Sequence, residues 1–287
     1  MQHGRSTRLR DAFGPVPYLR WPRLFTNTPR GWTMTTDVFR RRPSRAAARA
    51  GFAWFTLSAA AIAVYAPLPY LTESLSTLAE TPTGAIAANY ADRSAAIQVA
   101  FYAHVIGGGL ALALSPLQFI ARLRDRVPRA HRAIGRAAVG SMIVGGVAGA
   151  VLSTTNLAGP VGTAGFGLLG VLWVAFAVTA VVAIRRGDVT AHRRWMVRAF
   201  ALTYAAVTLR LWLALLMGAH LAAGYALPEA FTRSYVFVPF LCWVPNLLVA
   251  ELYLRRRPPS RVHHQRPTPG SGATMTVADR GVAQARR

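Results

Sequence analysis

Four histidines and one arginine carry the clearest chemical potential in this chain: His104, His131, His192, His220 and Arg210. Imidazoles presented from facing helices are the axial ligands of haem b, whose propionates need cations, a part that suits Arg210. Outer His104 with His220, and inner His131 with His192, would give ligation from two sides. The same residues have other uses. An imidazole can shuttle protons along a polar cavity, and polar side chains can simply hold helices together.

The elements that carry these residues are set by composition. Of 287 residues, 53% are hydrophobic and 15% charged, and the mean hydropathy is positive, so membrane spans are sought before soluble domains. Six mainly apolar stretches, 51–71, 97–121, 135–155, 164–184, 196–220 and 236–254, approach the ~20 residues that cross ~30 Å of hydrocarbon. Backbone amides find no water there, so each stretch must be helical. The expected fold is all-α, a single bundle of six transmembrane helices over 45–254. A disordered basic N-terminal tail, 1–44, and a disordered basic C-terminal tail, 255–287, are expected on either side, with Met34 a plausible alternative start.

The formal net charge of +23 is carried by arginine, since the chain has no lysine. Arginines cluster in 40–49, 122–136, 185–198 and 255–266, at alternate ends of the spans. The opposite connections hold Glu73, Glu80, Asp92 and Glu229 against Arg93 and Arg233. By the positive-inside rule both termini are expected to face the cytoplasm, in a multi-pass membrane protein. The partners expected are membrane lipids, with the arginines meeting anionic headgroups at the cytoplasmic face. No groove-reading motif accompanies the charge, so no nucleic-acid partner is expected. The single cysteine, Cys242, supplies neither an intramolecular disulfide nor a thiolate cluster, and no metal centre is expected.

Polar residues inside spans are costly and mark function by default. In span two, His104, Gly108, Ala111, Ser115 and Gln118 fall at helical spacing on one small, polar face. In span five, His192, Thr203 and Arg210 form a second stripe, His192 and Arg210 being about five turns apart. Span six adds Asn246 beside Pro245. Ser141, Gly145 and Gly149 strip one flank of span three, which should pack closely inside the bundle. Pro67, Pro69, Pro116, Pro239 and Pro245 are expected to kink spans one, two and six. Arg210 has no carboxylate at its depth. It must snorkel outward, meet Asp92, Glu80 or Glu229 from an infolded loop, or bind an anionic ligand or lipid.

The segments "FYAHVIGGGLALALSPLQF", "HRAIGR" and "HRRWMVRAFALTYAAVTLR" together resemble the signature of the predicted bacterial membrane proteins of domain of unknown function family 2306. The resemblance covers about residues 95–215. It implies a multi-span membrane fold and directs attention to His104, Gln118, His131, Arg136, His192, Trp195 and Arg210; it implies no activity. Three functions stay open on the sequence: haem-b-linked electron transfer in the membrane, transport of a small molecule or protons, and a non-catalytic lipid-interacting or structural role. No phosphate-cradling loop, metalloprotease zinc helix or nucleophile elbow is present, and nothing in the sequence fixes an enzymatic activity.

Overall fold

The computed structural model describes residues 44–256. Most of both expected tails, with Met34, lies outside those residues. At the far end helix continues through Arg255 and Arg256, two residues into the expected C-terminal tail.

The chain divides between Gly51 and Phe52 into two units. The described part of the first, 44–51, holds the exposed opening turns of helix α1 (Arg45–Tyr65), where Ser44 Oγ accepts from the Ala47 amide at 3.1 Å. The second unit carries α2 (Leu68–Thr72), α3 (Leu75–Ala79), α4 (Ala85–Ala91), α5 (Ala95–Gln118), α6 (Ala121–Arg126) and α7 (Pro128–Leu152). It continues with α8 (Gly159–Arg185), α9 (Val189–Thr203), α10 (Ala205–Ala222), α11 (Leu227–Tyr235), α12 (Val238–Leu241) and α13 (Val244–Arg256). No strand occurs among the described residues. Six helical segments are long and apolar enough to cross a membrane: Ala46–Thr72, Ala95–Gln118, Pro128–Thr155, Gly159–Arg185, Val189–Ala222 and Val238–Arg256.

Span two packs on span three, three on four, and four on the first half of five, while span six closes against four and five. The core between them is built from Met142, Trp173, Met196, Phe200, Val238, Cys242 and Trp243. Outward, Val99, Ile106, Leu110, Val144, Val171, Leu211, Leu215 and Leu248 stay exposed. In water such a belt would drive aggregation; in a bilayer it is the lipid-facing surface.

Spans two and three approach most closely where side chains are smallest. A Cβ on Gly107 would lie 3.0 Å from the Gly145 amide, and one on Gly145 would lie 3.1 Å from the Gly108 amide. The small-residue flank expected on span three is therefore the face that meets span two.

Three spans are interrupted. Span one breaks at Ala66–Pro67, where the proline has no amide to continue the ladder. Span six breaks at Cys242–Trp243, just ahead of Pro245. Span five breaks at Tyr204 without a proline. There Thr203 Oγ1 donates back to the Ala199 carbonyl and Thr208 Oγ1 to that of Tyr204, the back-bonding that bends helices. Pro116, by contrast, sits in the last turn of α5, which runs unbroken past it.

The connection 72–96 is more than a linker. Leu75, Ala87 and Tyr90 of α3 and α4 are buried with Phe101 and Leu152, and Asn89 Nδ2 donates to the Thr155 carbonyl at 2.8 Å. A folded cap thus lies over the end of the bundle away from the arginine clusters.

Candidate functional site

A cavity of about 260 Å³ opens beneath that cap, among spans one to six. Its walls are chiefly apolar: Ile62, Phe101, Val105, Leu152, Leu169 and Leu209. Glycines 108, 109, 145, 146, 149 and 170 line it too; a Cβ on Gly108 would meet nothing within 4 Å, whereas the other five sit where a Cβ would press on a neighbour. The volume lies near the lower end of the ~300–1,000 Å³ usual for small-molecule sites.

Arg210 faces this cavity. One of its nitrogens, Nη1, donates to the Ala206 carbonyl at 2.7 Å, one turn back along α10. The side chain is therefore folded toward the middle of the span, and outward snorkelling is not what it does. Nor do the external carboxylates descend to it. Among the described residues the ion pairs are Arg124 with Asp125, Arg198 with Glu251, and Arg233 with Glu229. Of the three solutions expected for Arg210, an anionic ligand or lipid is the one these contacts leave open.

His104 faces the same cavity from span two, and its Nδ1 bonds the Gly145 carbonyl at 2.8 Å. Gly149 makes room for the ring, since a Cβ there would lie 2.8 Å from Nδ1. Thr203 also lines the space, but its hydroxyl is engaged twice, donating to Ala199 and accepting from Trp173 Nε1 at 3.0 Å. Three tyrosines complete the polar lining, Tyr70 from span one, Tyr90 from the cap and Tyr235 from α11. Sequence reasoning missed them. They stand at or beyond span ends, where tyrosines are ordinary interfacial residues, and only the folded cap and the break in span one turn them toward the cavity.

The other expected residues lie elsewhere. His220, at the end of α10, bonds the Leu216 carbonyl and Ser234 Oγ and is not part of the cavity lining. The expected outer histidine pair is thus not assembled. At the opposite end His192 Nδ1 bonds the Ala180 carbonyl at 2.8 Å, close enough to His131 for the two rings to interact electrostatically. His192 does not share a surface with Arg210: the five-turn count assumed a continuous helix, and the break at Tyr204 intervenes. Gln118 lies against Gly135, and neither its Nε2 nor His131 Nδ1 has a hydrogen-bond partner among the described residues. Arg136 is exposed. Trp195 packs against Phe176 with the rings tilted by 42° and carries the Arg198 guanidinium 4.7 Å from its ring centroid.

Asn246 is a strut. Its Nδ2 donates to the Ala201 carbonyl, to Thr208 Oγ1 and to the Cys242 carbonyl, joining the breaks of spans five and six. A further tie missed in the sequence is Arg198 with Glu251, bidentate and at the arginine-rich end, with Nη2 3.0 Å from Oε2.

Haem b held between His104 and His220 does not fit this cavity. Two-sided ligation needs two imidazoles aimed across one space, and the cavity contains one. Among the described residues no group of three or more His, Cys, Asp or Glu gathers that could hold a metal ion.

The model of a family described as predicted membrane protein, DUF2306, matches residues 101–254, from the cavity wall of span two through span six. No curated protein and no solved structure matches the chain.

Proposed function

The chain belongs to the DUF2306 family of predicted membrane proteins, and from that footing we propose that it binds a small amphiphile bearing one anionic group inside the bilayer. The observation that carries this reading is Arg210, a guanidinium on an apolar cavity with no carboxylate partner among the described residues. A cation at the centre of a span costs about 3 kcal/mol, and a protein retains such a cost where the charge has work to do. An anion seated in the cavity would receive charge-assisted hydrogen bonds from the remaining guanidinium donors, while its hydrocarbon lies on the apolar walls. Carriage of that molecule across the bilayer is a second reading, favoured by the breaks in spans five and six, because Thr203, Ala205 and Cys242 border the cavity.

Decanoate, a carboxylate on a straight alkyl chain, is a suitable probe. Titrated into the full chain in lipid nanodiscs, with empty nanodiscs as the blank, it should bind, and Arg210→Met should weaken it at least about tenfold. The same substitution should leave thermal stability equal or raised, since it removes an unpaired charge. Lower stability with unchanged binding would make Arg210 a structural residue and end the proposal.

A further inference from the structure

His104 offers the cavity something different from Arg210, and the difference narrows the ligand. A carbonyl oxygen only accepts, so the 2.8 Å contact with Gly145 places a proton on Nδ1. A neutral imidazole then carries its lone pair at Nε2. No described residue donates to that nitrogen, and His104 is an exposed residue that lines the cavity. One wall therefore presents donors that lack an acceptor, at Arg210, and another presents an acceptor that lacks a donor, at His104. Thr203 does not supply that donor, because its proton goes to Ala199. The Asn156 amide is likewise committed, to the carbonyls of Ser153 and Gly159 and to Thr163.

We infer that the ligand carries a hydroxyl as well as its anionic group. The anion accepts from Arg210, the hydroxyl donates to His104 Nε2, and the chain runs along Val105, Leu152 and Leu169. This rests on the anion-binding reading and adds a second point of recognition to it. A plain carboxylate would leave Nε2 facing hydrocarbon, and a neutral alcohol would leave Arg210 unmatched. A site built to accept a hydroxyl proton discriminates against an analogue without one, because its own acceptor then faces hydrocarbon unpaired.

The test compares three acids on the full chain in nanodiscs: decanoate, β-hydroxydecanoate and β-methoxydecanoate, which keeps the oxygen but has no proton to give. β-Hydroxydecanoate should bind about tenfold more tightly than either of the others. His104→Phe should erase that preference, bringing β-hydroxydecanoate to the affinity of decanoate measured on the same variant. Equal affinities of the wild type for all three acids would overturn the inference. So would a His104→Phe protein that loses affinity for decanoate and the hydroxy acid alike, which is the signature of a cationic His104 gripping the anion itself. The ligand series decides the matter even if the variant does not fold. If none of the acids binds, the anion-binding reading itself fails, an outcome distinct from binding without preference.

Discussion

At the scale of single residues, spans three and four close on each other beside the cavity because glycine occupies positions where a side chain would meet backbone. Gly170 is the sharpest case: a Cβ there would stand 2.7 Å from the Gly146 carbonyl oxygen and 3.0 Å from the Ala150 amide. Neither neighbour can swing aside. Gly140 is the contrast, with nothing within 4 Å of its position. Gly170→Ala should therefore destabilise the bundle by about 1–3 kcal/mol, the range for overpacking, even after the helix-propensity gain of up to ~1 kcal/mol. Gly140→Ala should be neutral or slightly stabilising. Reversible unfolding in mixed detergent micelles reads both, and equal effects would show that spans three and four are not held at this separation. The sequence displayed the small flank of span three, since four-residue spacing is a one-dimensional pattern. It did not display Gly170 as its counterpart on span four, because the register between two helices is not written in either helix alone.

At the scale of elements, the six spans were legible because hydrocarbon thickness imposes a length that composition reveals directly. Their interruptions were only half legible. Prolines announced the breaks in spans one and six, whereas the break at Tyr204 arises from threonine back-bonding and carries no comparable signal. That hidden break is why the His192 to Arg210 stripe dissolves while Arg210 still reaches the cavity. It also places two broken helices, joined by Asn246, beside the site, the arrangement in which a carrier rocks around a fixed ligand. Efflux of decanesulfonate from loaded proteoliposomes tests carriage, because a sulfonate stays ionised and crosses bare lipid slowly. We expect release about tenfold faster than from protein-free vesicles, reduced to that background by Arg210→Met. Release equal to the blank in wild-type vesicles would end the carrier reading while leaving the binding reading intact.

At the scale of the whole molecule, the arginines set a direction. The connection between spans two and three holds arginines 122, 124 and 126 and the first turns of span three hold 129, 132 and 136, while the end of span four, the turn after it and the first turns of span five hold 185, 186, 193, 194 and 198. The cap at the other end offers Arg93 beside Glu73, Glu80 and Asp92, and α11 offers Arg233 already paired with Glu229. At about 1 kcal/mol for each arginine near an anionic leaflet, reversing the bundle would forfeit several kcal/mol. The arginine-rich end should therefore face the cytoplasm, with the cap and the cavity beneath it toward the opposite side. Cys242 is fully buried, so the native chain is a quiet background for thiol labelling. A membrane-impermeant maleimide applied to intact cells should modify Thr83→Cys on the exposed cap and spare Thr190→Cys, which is exposed at the start of α9, until the cells are opened. The reverse pattern would turn the bundle over. It would place the cap, and the cavity beneath it, toward the cytoplasmic side.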